Sequence, residues 1–242
     1  MRAFLEKINN EYLDDFVYIT KFPLYDNGYE IITFDGDDMN NTLFNKYNPT
    51  KDDIIVGSVE CTIKFFNYLK VDVPKYLGYP DELKEFLGRN IEVCKLSECG
   101  TNFPYFIKPY SDIKKFTGGV MEKQSYIDNI KIFDKVDDDY LVYKSEVVNI
   151  ISEYRVFCSY GKIYDARFYQ GDFTKIVDFN VVEDIISKYK NPPSAYTIDV
   201  GLTSDGKTIL VEINDMWAIG SYGCDARKYS LLITRRMKEI LK

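Results

Sequence analysis

The segment YTIDVGLTSDGKTILVEIND, residues 196–215, holds the most chemically suggestive spacing in the chain. Two antiparallel strands joined at Asp205-Gly206 would carry Asp199 on the first and Glu212 and Asn214 on the second. Glu212 and Asn214 are two positions apart, so their side chains leave the same face of a strand. Three oxygen ligands, two of them charged, then converge. Such a set suits Mg²⁺, which takes a few carboxylates and completes its shell with water and phosphate oxygens. A polar strand face open to water is the alternative. The apolar flanks ILVEI and YTIDV weigh against it, because a carboxylate among such neighbours needs a partner.

Lys108 ends an apolar run, YFIKP, and is followed by Pro109. A lysine there is a compact charge suited to a phosphate, and equally an ordinary surface residue. The polar stretch SDIKKFTGGV follows, residues 111–120, and its Gly118-Gly119 pair can lay backbone N–H groups over phosphates or simply form a turn. Glu146 and Glu153 bracket the apolar VVNII. An apolar hinge can offer its backbone to an adenine edge, and a carboxylate beyond it can accept both ribose hydroxyls. Arg155 and Arg167 fall on two strands expected to form a hairpin through Gly161, where a cross-strand ion-pair ladder is the competing explanation.

The chain contains no histidine among its 242 residues. This excludes Ser-His-Asp and Cys-His nucleophiles, His-ligated zinc or iron, and an imidazole proton shuttle. The formal charge of −7 argues against a surface that coats nucleic acid. Five cysteines without a C-x-x-C pair fit reduced thiols in a cytosol-like compartment. The opening MRAFLEKINNEYLDDF is polar and amphipathic, not a signal peptide, and is expected to pack internally. No stretch approaches 18 apolar residues, so no membrane association is expected.

The elements that must position these residues alternate in the first hundred positions. Phe16–Thr20 and Glu30–Phe34 are aromatic and β-branched runs expected as strands. Asp53–Val56, Gly57 and then Val59–Leu69 spell strand, turn and helix, the opening of a parallel α/β unit. A turn-rich stretch around Pro74, Gly78, Tyr79 and Pro80 precedes a short helix, DELKEFLG. Further strands are expected at 103–109, 139–148, 153–159, 162–169, 195–200 and 208–213, with helices at 181–189 and 225–241.

In order, the chain presents IKP, a Gly-containing loop, SEVV, EYRVF, an Arg on the next strand, IDV and VEIN. This series resembles the ATP-grasp superfamily over roughly residues 95–242. It looks closest to the phage-associated clade named for two arginines and one lysine, proposed to contain peptide ligases. The resemblance implies an α+β ATP-grasp fold, two lobes clamping ATP, at 95–242, preceded by a small α/β domain at 1–94. By analogy Lys108 would hold the α and β phosphates, and Thr117, Gly118, Gly119 and Val120 would close over the triphosphate. Glu146 and Val148 would meet adenine through backbone groups, and Glu153 would bind ribose. Asp199, Glu212 and Asn214 would hold one or two Mg²⁺. Arg155 and Arg167 would stabilise the transferring phosphoryl group and an acyl-phosphate.

The function so implied is an ATP-dependent carboxylate–amine ligase in the cytoplasm, of the host if the chain is phage-encoded. Its substrates would be small molecules or peptides. A kinase on the same fold and a nucleotide-binding module without turnover are the alternatives. Many members of the superfamily carry a second phosphate-binding lysine upstream; Lys84, Arg89 and Lys95 are the candidates here. The stretch DMWAIGSYGCD, with Trp217 and Tyr222, is expected to shape the acceptor site.

Overall fold

The structure, a computed structural model, describes residues 1–111 and 115–242. Asp112, Ile113 and Lys114, part of the loop expected to lie over phosphates, are outside the described residues. Among the described residues, the strands form three four-stranded sheets.

The first sheet is built on β1 (Arg2–Ile8), which pairs in parallel with both β3 (Glu30–Asp35) and β4 (Ile54–Val56). The short β2 (Glu11–Tyr12) folds back on the end of β1. The opening segment is therefore the central strand of this sheet. Ala3, Phe4 and Leu5 are fully buried, and the charges sit near the strand ends. Arg2 forks onto Asp53 through Nε and Nη2, at 3.0 and 2.5 Å.

The run Phe16–Thr20 is not a strand. It lies in α1 (Asp15–Asp26), where Asp14 accepts from the Asp15 N–H at 2.6 Å and Phe16, Val17, Thr20 and Leu24 are buried. That spacing also fits a helix, and packing decides between the two because β propensity is weak and dependent on context. Phe16 meets the ring of Tyr229 on the closing helix α6 (Ala226–Ile240). After the short turn α2 (Asn45–Tyr47), β4 leads into α3 (Val59–Tyr68), capped by Ser58, whose side chain accepts from the Cys61 N–H.

The second sheet is antiparallel and contains β5 (Ile91–Lys95), β6 (Tyr105–Pro109), β7 (Gly119–Met121) and β8 (Leu141–Ser145), in the order β5-β8-β6-β7. The expected division between residues 94 and 95 falls inside β5, which pairs with β8 along its whole length. Helix α4 (Gln124–Phe133) buries Ile127 and Ile130 in a core with Ile107, Met121 and Val142.

The third sheet is also antiparallel. It contains β9 (Ile150–Ser159), β10 (Lys162–Gly171), β11 (Ala195–Thr203) and β12 (Thr208–Asp215), in the order β10-β9-β11-β12. Helix α5 (Phe179–Lys188) places Val182 and Ile185 in a core with Val156, Ile198, Val200 and Leu210. Trp217, Tyr229, Leu232, Ile233 and Met237 join the core of Phe4, Phe65 and Phe66, so the end of the chain completes the core of its beginning. No helix of the described residues is long and apolar enough to cross a membrane.

Candidate functional site

A cleft of about 280 Å³ lies between the second and third sheets. One wall comes from β6, β7 and β8 with residues 146–148, the other from β9, β10 and β12. Of the residues singled out in sequence, Lys108, Gly118, Val120, Glu146, Val148, Glu153 and Glu212 line it. Thr117 and Gly119 flank its lining. Gly118 must be small: a Cβ there would come within 2.7 Å of the Lys108 Cβ and 3.2 Å of the Ile107 carbonyl oxygen.

The third sheet carries a charged row. Arg167 on β10 lies opposite Arg155 on β9, Arg155 opposite Asp199 on β11, and Asp199 opposite Glu212 on β12. Residues directly opposite one another in antiparallel strands share a face, so all four side chains leave the sheet on one side. Arg155 donates to both Asp199 oxygens, from Nε at 2.8 Å and Nη2 at 2.7 Å. Its Nη1 donates to the Gly220 carbonyl at 3.1 Å, and Tyr222 lies 4.4 Å from the guanidinium. The acceptor-site stretch expected at 215–225 thus touches Arg155 through Gly220 and Tyr222, whereas Trp217 is packed against Phe66 in the core.

Asp199 and Arg155 are both buried. Burial drives the Asp199 carboxyl upward, and the contact with Arg155 pulls against it. Burial lowers the Arg155 guanidinium pKa, but Asp199 outweighs that and raises it. Asn214 donates from Nδ2 to Asp199 at 3.3 Å and to Glu212 at 3.1 Å. Arg167 reaches a different partner, Asp165, at 2.8 Å, and its Nε is buried without a hydrogen-bond partner among the described residues.

On the opposite wall, Lys108 is 8% exposed, and its Nζ donates to Glu212 and, at 3.1 Å, to the Tyr76 hydroxyl. Three tyrosine rings surround the ammonium, Tyr79 at 4.5 Å, Tyr143 at 5.6 Å and Tyr76 at 5.8 Å. Aromatic faces attract a cation. Burial lowers the lysine pKa, yet Glu212, Tyr79 and Tyr76 together raise it above its ordinary value. The sequence did not single out Tyr76 or Tyr143, and Tyr79 figured only in a turn. These rings come from separate segments, and no periodicity links them.

At the other end of the cleft, Glu153 accepts from the Tyr169 hydroxyl at 2.7 Å. Burial raises the Glu153 carboxyl, the Tyr169 hydrogen bond lowers it, and Asp199 and Glu212 raise it further. Glu146 accepts from the Asn90 backbone N–H at 2.9 Å and from its Nδ2 at 3.0 Å, and these bonds hold its carboxyl below the usual range. Of the three candidate upstream cations, only Arg89 lines the cleft. Lys84 is exposed and paired with Asp81, and Lys95 is exposed on β5.

Asp199, Glu212 and Asn214 form a set of hard oxygen donors, with the amide of Asn214 between the two carboxylates. Rotation of that amide exchanges its nitrogen for its oxygen. The set therefore fits a small divalent cation such as Mg²⁺. Among the described residues, no group of three or more His, Cys, Asp or Glu side chains could hold a metal.

A family profile described as ATP-grasp domain, R2K clade family 2, matches residues 86–232. Several solved structures share the fold. D-cycloserine synthetase DcsG aligns over the whole of both chains with a TM-score of 0.61 at 10% identity. An L-amino acid ligase from Bacillus licheniformis aligns over 98% of this chain and 74% of its own, with a TM-score of 0.59 at 10% identity. A RimK domain ATP-grasp protein from Sphaerobacter thermophilus covers 96% of this chain and 98% of its own, with a TM-score of 0.56 at 14% identity. No curated protein sequence matches significantly.

Proposed function

This chain belongs to the R2K clade of ATP-grasp domains, and from that premise we propose that it is an ATP-dependent carboxylate–amine ligase working through an acyl-phosphate. The observation that supports this most directly is the meeting of Lys108 and Glu212 across the cleft, with Asp199 and Arg155 next in line. Phosphoryl transfer is mostly positioning and charge neutralisation, and this arrangement supplies both without an imidazole.

In this reading, adenine lies against the backbone of residues 146–148 and the ribose hydroxyls donate to Glu153. Lys108 turns from Glu212 to the α and β phosphates, while its tyrosine surroundings keep the ammonium at the cleft wall. Thr117, Gly118, Gly119 and Val120 close over the phosphate side, with Gly118 and Val120 in the cleft lining. Asp199, Glu212 and Asn214 would hold Mg²⁺, which neutralises charge on the transferring phosphate when bound. Arg155 and Arg167 face the reacting end, where a substrate carboxylate attacks the γ-phosphorus and ADP leaves. An amine then attacks the acyl carbon. An amide forms, and phosphate and a proton are released.

The substrates proposed are small or peptidic carboxylates and amines, such as those of two proteins that share the fold, an L-amino acid ligase and a D-cycloserine synthetase. The test is ADP release with Mg-ATP across amino acids and short peptides, with amide products identified by mass spectrometry. Joint dependence on a carboxylate and an amine is expected. A phosphorylated product indifferent to amines would replace this reading with a kinase, and nucleotide binding without ADP would replace it with a binding module. Glu212→Ala should abolish ADP release; near-normal release would overturn the metal assignment.

A further inference from the structure

Arg89 and Asn90 are adjacent in sequence and reach opposite walls of the cleft. Asn90 holds the Glu146 carboxylate twice, from its backbone N–H and its Nδ2, and Glu146 opens the 146–149 connection between β8 and β9. Arg89 donates to three backbone carbonyls: from Nη1 to Leu87 at 2.9 Å and Leu210 at 3.1 Å, and from Nη2 to Val211 at 3.1 Å. Leu210 and Val211 lie on β12, immediately before Glu212.

The register of β12 slips at this point. Asp199 faces Glu212 while Val200 faces Leu210, which leaves Val211 as the extra residue of a bulge. Bulges re-aim the neighbouring side chain. A planar guanidinium fork spanning the carbonyls on the bulge fixes its direction more firmly than an ammonium could.

We propose that Arg89-Asn90 is a clasp across the nucleotide cleft. Asn90 and Glu146 set the position of the adenine-facing backbone, and Arg89 sets the bulge that aims Glu212. Arg89 is then a positioning residue, its fork bonded to three backbone carbonyls. The side chain of Glu146 serves the clasp, not the base. This inference rests on the nucleotide reading of the cleft.

The experiment measures equilibrium binding of adenosine, AMP, ADP and ATP to the full-length protein and to Arg89→Met, Arg89→Lys, Asn90→Ala and Glu146→Gln. Thermal melts accompany each variant. Asn90→Ala and Glu146→Gln remove exposed contacts, so they keep the test informative if the Arg89 variants fold poorly. The clasp predicts that Asn90→Ala and Glu146→Gln weaken all four ligands by the same factor, about fivefold for one or two ordinary hydrogen bonds, while the Arg89 variants weaken most the phosphate-bearing ligands that Glu212 serves. It also predicts that Arg89→Lys fails as Arg89→Met does. A phosphate contact instead predicts that Arg89→Lys largely restores the affinity lost in Arg89→Met; that pattern overturns the clasp. Unchanged affinities in Asn90→Ala and Glu146→Gln overturn it too. Failure of the unaltered protein to bind any of the four would overturn the nucleotide reading itself, and the clasp with it.

Discussion

On the wall built by β6 and β8, the Lys108 ammonium lies among tyrosine rings and meets one carboxylate, Glu212, that opens onto the cleft. On the wall built by β9, β11 and β12, charge meets opposite charge side by side, with Arg155 locked onto Asp199 and both nearly excluded from water. The first arrangement holds its cation between tyrosine rings and a single carboxylate that lines the cleft. The second is self-neutralising, and removing one member leaves the other buried without compensation. The two walls therefore differ: one presents its ion pair to the cleft, the other closes its charges into a buried frame.

The sharpest way to break this comparison is Arg155→Met. It should cost about 3–5 kcal/mol of unfolding free energy in denaturant melts, the loss typical of breaking a buried pair. A loss no larger than for a surface pair would show that the frame does not depend on it. Lys108→Met should cost less, because Glu212 keeps Asn214 as a donor and lines the cleft. Its nucleotide affinity should nevertheless fall, and equal stability losses in the two variants would erase the distinction between the walls.

The smallest effect concerns Glu153, on the framed wall. Its carboxyl is raised from an ordinary 4.5, first by burial and then by Asp199 and Glu212. The raised value means that ionisation opposes folding, so this residue's contribution to stability declines as pH rises through it. In the proposed reading nucleotide binding runs the other way, because the ionised carboxylate is the form that would accept two ribose hydroxyls. Affinity should fall as pH drops through the raised value, at a higher pH than an ordinary glutamate would give. Glu153→Gln should flatten that profile in a titration of binding against pH.

Much of the frame was legible beforehand. Alternation placed Glu212 and Asn214 on one face, and the hairpin residues Asp205-Gly206 brought them beside Asp199. Local signals of this kind depend on side-chain period and turn chemistry, which a single strand pair expresses without help. Phe16–Thr20 misled for the complementary reason: its apolar residues satisfy either period, and contact with α6 chose the helix. The opening strand was hidden similarly, since its short apolar core is flanked by charges whose partners, such as Asp53, are distant in sequence.

The sequence by itself determined the types of charge available, the absence of imidazole chemistry, and the strand faces on which Lys108, Arg155, Asp199 and Glu212 stand. Only the tertiary structure decided which of these charges meet. Strand register put Arg155 against Asp199, and closure of two sheets put Lys108 against Glu212 within a ring of tyrosines. Arg89 became a clasp because a bulge in β12 turned backbone carbonyls toward it. Side-chain period is a property of neighbouring residues, whereas the pairing of charges far apart in the chain follows from how separate sheets pack, which no local pattern encodes.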